Sequence, residues 1–165
     1  MNTTNRSSFE IRSATEADVP TILTFIRKLA AYERLSQEVV ATEALLRETL
    51  FGDRRTAEVA IGYLEDLPVG FVLYFHNYST FLGRPGLYIE DLFVDEFYRR
   101  RGYGRKLLLH VARLAHERGC GRLEWSVLDW NEPAINFYKK LGAMSMSEWT
   151  VFRLTGESLD RLSSV

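Results

Sequence analysis

The spacing of apolar residues predicts a strand and two helices in the first third of the chain. Residues 9–14 are predicted to form a short strand, and a helix is predicted to begin at Thr15, where Asp18 makes a weak capping box. A second helix is predicted from Thr42 to Gly52, since glycine commonly ends helices. The helical spacing of the first helix is carried by Ile22, Phe25, Ile26 and Leu29.

The middle of the chain has the pattern of successive strands. Residues 57–65 and 69–79 are predicted to pair as a hairpin around the turn-like residues 66–68. Two glycines and a proline within 83–86 are predicted to break the chain again. A further strand, rich in β-branched and aromatic residues, is predicted over 87–94.

Helices and strands also alternate in the last third of the chain. An amphipathic helix is predicted to end near Gly119, and a strand is predicted over 121–128. An asparagine cap, a proline in the first turn and a closing glycine predict a short helix over 131–142. A last strand over 149–154 and a turn of helix over 156–162 follow. The whole order predicts an α/β fold with a mixed sheet.

Composition and charge are those of one globular domain without a nucleic-acid or membrane partner. The chain has 165 residues, a net charge of -1, 46% hydrophobic residues and 26% charged residues. The basic residues concentrate at one loop, without the extended basic face that nucleic acid requires. No segment approaches the roughly 18 consecutive apolar residues of a membrane span.

Several segments and residue types limit the classes of protein further. Residues 1–8 lack the apolar core of a signal peptide and are predicted to be a disordered tail before a single domain over 9–165. Cys120 is the single cysteine, so no disulfide forms within the chain and a reducing, cytoplasmic compartment is predicted. No cluster of residues has metal-ligand spacing, so no metal is predicted. His110 and His116 are interpreted as surface residues on the polar side of a helix.

A basic loop with two glycines precedes the amphipathic helix. Its sequence from Arg99 to Gly104 is Arg-Arg-Arg-Gly-Tyr-Gly, followed by Arg105. The first N–H groups of a helix lack partners and carry the positive end of its dipole, so a helix start preceded by glycines favours phosphate. Leu107 replaces the third glycine of a dinucleotide motif, and no P-loop sequence is present. The alternative is a solvated basic loop with a glycine turn.

Three segments occur together in an order and spacing that resemble the GNAT superfamily of N-acetyltransferases: 87–94, 99–104 and 129–143. Within the superfamily the chain is most similar to the diamine and thialysine acetyltransferase branch, and this likeness is carried by 30–35, 77–84 and 127–134. The resemblance implies an α/β domain with a central mixed, mostly antiparallel twisted sheet and about four flanking helices. It also implies acetyl-CoA as co-substrate, a small-molecule amine substrate and a homodimer.

By this resemblance, the loop cradles the pyrophosphate of acetyl-CoA, and a main-chain N–H near the end of the strand 87–94 stabilises the oxyanion. Asn131 has a second interpretation, as the cap of its helix. The residues implied in coenzyme binding are Leu92, Phe93, Val94, Arg99, Arg100, Arg101, Gly102, Tyr103, Gly104, Arg105 and Asn131.

The resemblance also implies the catalytic groups. Glu90 would accept the amine proton through water, and Asp91 is the alternative acceptor. Either carboxylate would otherwise bind a substrate cation or pair with an arginine. The two are adjacent on a strand, so regular alternation would separate them unless a bulge intervenes. Tyr138 would protonate the leaving thiolate, and its alternative role is packing beside Ile135 and Leu141.

The acceptor site implied by the resemblance is acidic. Tyr32 and Glu33 would line it together with Asp91, although Glu33 is otherwise an exposed helix end. Ser79 stands where the polyamine-specific members have an aspartate, which favours a lysine-like amine. Two other functions stay open: acetylation of a protein or peptide, and a non-catalytic acyl-CoA-binding module.

Overall fold

The structure is a computed structural model that describes residues 8–164, and the chain divides into two compact units, Met1–Ser126 and Val127–Val165. The predicted disordered tail, residues 1–8, lies outside the described residues except for Ser8, which is exposed. The prediction of a single domain over 9–165 stays a prediction.

The first unit is built on a mixed sheet. Within the described residues its strands are β1 (Phe9–Ser13), β2 (Glu58–Leu64), β3 (Leu67–Ser79), β4 (Arg84–Val94) and β5 (Leu123–Trp125). They lie in the order β1-β2-β3-β4-β5. The first four pair antiparallel, and β5 runs parallel to β4. The predicted mixed, mostly antiparallel sheet is therefore confirmed.

Strand pairing extends two strands beyond their predicted ends. The β2–β3 turn is shorter than predicted, because Leu67 and Pro68 already pair with β2 and Glu65 takes a positive φ of 58°. Gly86 does not break the chain but pairs with Asn77 inside the sheet. A Cβ on Gly86 would lie within 3 Å of side-chain atoms of both Asn77 and Arg122, so glycine lets these two side chains approach the strand closely.

The helices in residues 8–164 are α1 (Val19–Tyr32), α2 (Glu43–Leu46), α3 (Tyr103–Glu117), α4 (Glu132–Lys140) and α5 (Glu157–Ser163). A short 3₁₀ turn precedes α1, and the main-chain N–H of Thr15 donates to the Asp18 carboxylate at 2.7 Å. The predicted helix start at Thr15 thus lies in this turn. The second helix continues past α2 as a π-helical turn, Arg47–Phe51, before Gly52.

Two helices cover opposite faces of the sheet. Phe25 of α1 stacks on Phe71 with 5.6 Å between ring centroids and lies 6.0 Å from Phe93. A Cβ on Gly62 would lie 3.7 Å from Leu107, which places α3 on the other face. The buried residues of α3 are Leu107, Leu108, Val111 and Ala115, which form the apolar side of the predicted amphipathic helix.

The second unit carries α4 and α5, and the strand predicted over 149–154 is wrong. These residues have no regular secondary structure. A strand is defined by main-chain hydrogen bonds to a neighbouring strand. The apolar and β-branched residues of 149–154 favour a strand but cannot supply that neighbour. The strand predicted over 121–128 is also shorter, because β5 pairs with β4 only from Leu123 to Trp125.

Candidate active site

A β-bulge in β4 places Glu90 and Asp91. Asp91 pairs with Leu73 and Ile89 pairs with Tyr74, so Glu90 is the extra residue between two consecutive pairs. Glu90 is exposed, whereas Asp91 is half-buried. The bulge that would relax strand alternation is therefore present at the predicted carboxylates.

Asp91 is the electrostatic centre of a carboxylate cluster, which we define as Glu33, Glu90 and Asp91. Burial, followed by the negative charges of Glu90 and Glu33, raises the pKa of Asp91 to about 6. Burial also raises the pKa of Glu33, which begins the loop after α1. The structure thus brings together two elements that are far apart in the sequence, and their carboxylates share an unfavourable negative potential.

The strand β4 has an unpaired edge beyond the cluster. On one side it pairs with β3 through Val94. On the other side β5 pairs only with Leu87, Tyr88 and Ile89. Successive main-chain N–H groups of a strand point to alternate sides. Within the described residues, the segment from Leu92 to Val94 therefore presents main-chain groups that no strand pairs on the β5 side.

The phosphate loop, residues 99–105, has the backbone expected of an anion site. Arg100 and Gly102 both have positive φ, 62° and 80°, and α3 begins at the next residue, Tyr103. Lys106 makes the first helical bond, to the carbonyl of Gly102. A Cβ on Gly102 would meet nothing within 4 Å, so the space over this residue is open. Alternating backbone conformations before a helix start turn several N–H groups outward, as phosphate binding requires.

The arginines predicted to bind coenzyme separate into two groups. Arg99 donates from Nε to the carbonyl of Val94 at 2.9 Å, and Arg101 donates to the carbonyl of Phe97 at 3.3 Å. Both side chains are thus engaged by the protein. Arg100 and Arg105 are exposed, and within residues 8–164 neither makes a side-chain hydrogen bond or ion pair. These two are the arginines available to an anion.

The structure adds a pair that the sequence did not reveal, Lys28 and Asp95. Lys28 of α1 binds the buried carboxylate of Asp95, 67 residues later. Asp95 also accepts from the N–H of Phe97 at 3.2 Å, so it caps the turn that leads to the phosphate loop. Its position directly after a strand was the one available signal, and nothing local identifies its partner.

Ser79 has a structural partner, whereas the two histidines of α3 lie at a surface groove. Ser79 is buried, and its Oγ accepts from the N–H of Leu82 at 3.3 Å in the turn after β3. His110 and His116 line a surface groove beside Phe9, away from the carboxylate cluster. His116 is exposed and His110 is half-buried, and this partial burial lowers the pKa of His110.

The second unit contains Asn131 and Tyr138. The Asn131 side chain accepts from the N–H of Ala134 at 3.4 Å at the start of α4, so its predicted role as a cap is confirmed. The ring of Tyr138 contacts that of Phe137 at 5.3 Å between centroids. A coenzyme contact for Asn131 and the acid role of Tyr138 stay predictions.

Comparison with known proteins identifies the class. The model of the Acetyltransferase (GNAT) family matches residues 26–143, more than half of the chain, so the chain belongs to this family. A thialysine N-epsilon-acetyltransferase of Bos taurus is 39% identical and aligns over 93% of this chain and 96% of its own length. An L-ornithine N5-acetyltransferase of Arabidopsis thaliana is 38% identical over 99% of this chain and 91% of its own length.

A solved structure supports the same fold. An integron cassette protein from the mobile metagenome of V. cholerae superposes with a TM-score of 0.81 at 26% identity, over 96% of this chain and 99% of that one. The chain is an N-acetyltransferase, and members of its family take the acetyl group from acetyl-CoA. In the part of the chain that the structure describes, no helix is long and apolar enough to cross a membrane. No group of three metal-ligating side chains occurs among residues 8–164.

Proposed function

We propose that the chain acetylates the primary amine of a small cationic substrate, of the lysine-like or diamine class, by direct attack in a ternary complex. The carboxylate cluster carries this proposal. A buried carboxylate beside two others is stabilised when a cation enters the cluster, because the cation offsets both burial and repulsion. The names of the relatives, thialysine and ornithine acetyltransferases, support a substrate that carries more than one charged group.

The substrate amine must lose a proton before it attacks. A lysine-like amine has a pKa of about 10.4, so deprotonation at pH 7 costs about 5 kcal/mol. We assign Glu90 as the proton acceptor, acting through a water molecule, because Glu90 is exposed to solvent at the bulge. Asp91 and Glu33 would hold the second cationic group of the substrate, with Tyr32 beside them. This division gives the most buried carboxylate a permanent cationic partner.

The bond changes then follow in order. Glu90 first passes the ammonium proton on to solvent water. The neutral amine nitrogen then bonds to the acetyl carbon, and the excess proton on the nitrogen of the tetrahedral intermediate leaves toward Glu90. Main-chain N–H groups on the unpaired edge from Leu92 to Val94 would stabilise the carbonyl oxygen as it gains charge. The bond from carbon to sulfur breaks, and Tyr138 would donate its proton to the thiolate. A phenol of pKa about 10 is protonated at pH 7, so it can serve this purpose.

Coenzyme binding rests on main chain more than on side chains. The N–H groups from Gly102 to Gly104, at the start of α3, would bind the pyrophosphate, with added charge from Arg100 and Arg105. Phe93 would contribute through its main chain, since its ring is buried in the core. A coenzyme contact for Asn131 rests on the resemblance alone.

The assembly is proposed from the resemblance and the location from the cysteine content. A homodimer is the expected assembly, and light scattering of the purified protein measures it directly. A cytoplasmic location fits the single cysteine, Cys120, since a reducing compartment places no demand for disulfides.

The deciding experiment is acetyl-CoA turnover, followed as thiol release, against a panel of amines. The panel contains thialysine, lysine, ornithine, 1,3-diaminopropane, putrescine, spermidine and a lysine-containing peptide. Clear preference for a small dibasic amine supports the proposal. Activity on the peptide alone would replace it with protein acetylation. Tight coenzyme binding without turnover of any acceptor would instead favour the acyl-CoA-binding module.

A further inference from the structure

The C-terminal part of α1 makes two contacts with residues 95–99, the segment that follows β4 and ends at the first residue of the phosphate loop. Lys28 binds the carboxylate of Asp95, and the guanidinium of Arg99 lies over the ring of Tyr32, 4.4 Å from its centroid. Residues four apart share one face of a helix, so Lys28 and Tyr32 present adjacent contacts to the same segment. The two ties together fix the end of α1 against the end of β4.

Arg99 is held by protein groups on several sides. Its Nε donates to the carbonyl of Val94 at 2.9 Å, and its guanidinium also lies 5.5 Å from the ring centroid of Phe93. Burial acts to raise the pKa of Asp95, but hydrogen bonds from Lys28 and Phe97 and the charges of Lys28 and Arg99 hold it below its ordinary value. Arg99 therefore belongs to the junction of α1 and β4, in contrast to the exposed Arg100 and Arg105.

We propose that Arg99 is a positioning residue for the acceptor site and not a ligand of the coenzyme pyrophosphate. It fixes the ring of Tyr32, and with it the adjacent Glu33, against the strand end that carries Phe93 and Val94. This inference rests on the proposed function, because Tyr32 and Glu33 matter to catalysis only if they line the amine site. A planar guanidinium suits this role, since it stacks on a ring while its N–H groups donate in the plane.

A comparison of two acetyl donors separates positioning from phosphate binding. Acetyl-pantetheine lacks the pyrophosphate that acetyl-CoA carries. For Arg99→Gln we expect the KM of the amine to rise about tenfold with either donor, which lies between the sizes of an exposed and a desolvated cation–π contact. For the matched control Arg105→Gln we expect a loss with acetyl-CoA that disappears with acetyl-pantetheine. A loss for Arg99→Gln that is confined to acetyl-CoA would overturn the proposal.

Two further measurements do not depend on that comparison. Calorimetric binding of coenzyme A should stay within about threefold of the parent in Arg99→Gln, as for a change outside the ligand site, and weaken in Arg105→Gln. In the double variant Arg99→Gln/Tyr32→Leu the KM of the amine should rise by less than the product of the factors of the two single variants, because both changes remove the same contact between Arg99 and Tyr32. Additive effects would contradict a shared contact.

The charge-conserving variant tests the geometry. Arg99→Lys keeps a positive point charge and loses the planar fork, so it should restore the KM of the amine only partly. Full restoration would show that charge alone suffices and would overturn the positioning role. The proposed function itself is judged on the parent protein, whose turnover of a small amine does not involve any Arg99 variant. Its failure is therefore distinguishable from the failure of this inference.

Discussion

Replacing Asp91 by asparagine is expected to stabilise the free protein above pH 6 while it impairs the amine site. Asparagine has nearly the same volume and carries no charge, so the change chiefly removes electrostatic repulsion. Burial and the charges of Glu90 and Glu33 raise the pKa of Asp91 from 3.8 to about 6. An ionised Asp91 therefore lowers the free energy of unfolding of the protein when no cation is bound.

Proton linkage gives the direction in which the free energy of unfolding changes with pH. The pKa of Asp91 is higher in the folded than in the unfolded chain, so between about pH 4 and pH 6 the folded state binds more protons. The free energy of unfolding consequently falls as the pH rises through this window and is level above it. A shift of about two pKa units corresponds to about 3 kcal/mol at most, and roughly half of it has accumulated by pH 5.

Urea unfolding of the parent and Asp91→Asn at pH 5 and pH 8, without ligands, measures this effect. The stability advantage of Asp91→Asn should be about 1–2 kcal/mol larger at pH 8 than at pH 5. The matched control is Glu90→Gln, at an exposed residue, for which the advantage should change less. An advantage that is equal at the two pH values would refute the account of Asp91.

The same variant should change the pH profile of catalysis. In the parent, kcat/KM for the amine should rise as the pH passes through about 6, because the ionised Asp91 attracts the cation. In Asp91→Asn this limb should disappear, and the KM of a dibasic amine should rise more than that of a monoamine. An unchanged limb would assign the titration to another group.

Three other substitutions test the loop and the proposed acid. Arg100→Gly should raise the melting temperature by a few degrees, because Arg100 has a φ of 62° and a side chain in that conformation costs about 1 kcal/mol. The control Arg100→Ala keeps this backbone strain and should show no such gain. Gly102→Val should weaken coenzyme A binding measured by calorimetry, while Gly83→Val, also at positive φ, should cost stability alone. Tyr138→Phe should lower kcat about 10²-fold with coenzyme affinity retained, and turnover within about twofold of the parent would exclude the acid role.

Local patterns predicted most of the elements because their causes are local. The helical spacing through Phe25 and the turn at Thr15 depend on residues three or four apart, and both appear in the structure. The strand over 149–154 failed because strands require a partner elsewhere in the chain. Pro85 and Gly86, which read as breakers, lie inside β4 because pairing with β3 outweighs their local preference.

In the candidate site, too, features within one short segment were predictable and contacts between distant segments were not. The residue types at Glu90, Asp91 and the phosphate loop are visible in the sequence, since each belongs to one short segment. Arg100 and Arg99 are adjacent and identical in type, yet the structure places one in solvent and the other over Tyr32. No spacing rule distinguishes them, because a side chain's partner depends on how distant segments pack.

The sequence by itself determined the order of helices and strands from β1 to α4, the glycine loop before α3 and the family of enzymes. Only the tertiary structure decided the bulge at Glu90, the burial of Asp91 beside Glu33 and the pairing of Lys28 with Asp95. The physical reason is that burial and electrostatic potential are summed over neighbours from the whole fold. Backbone periodicity, in contrast, is set within a few residues.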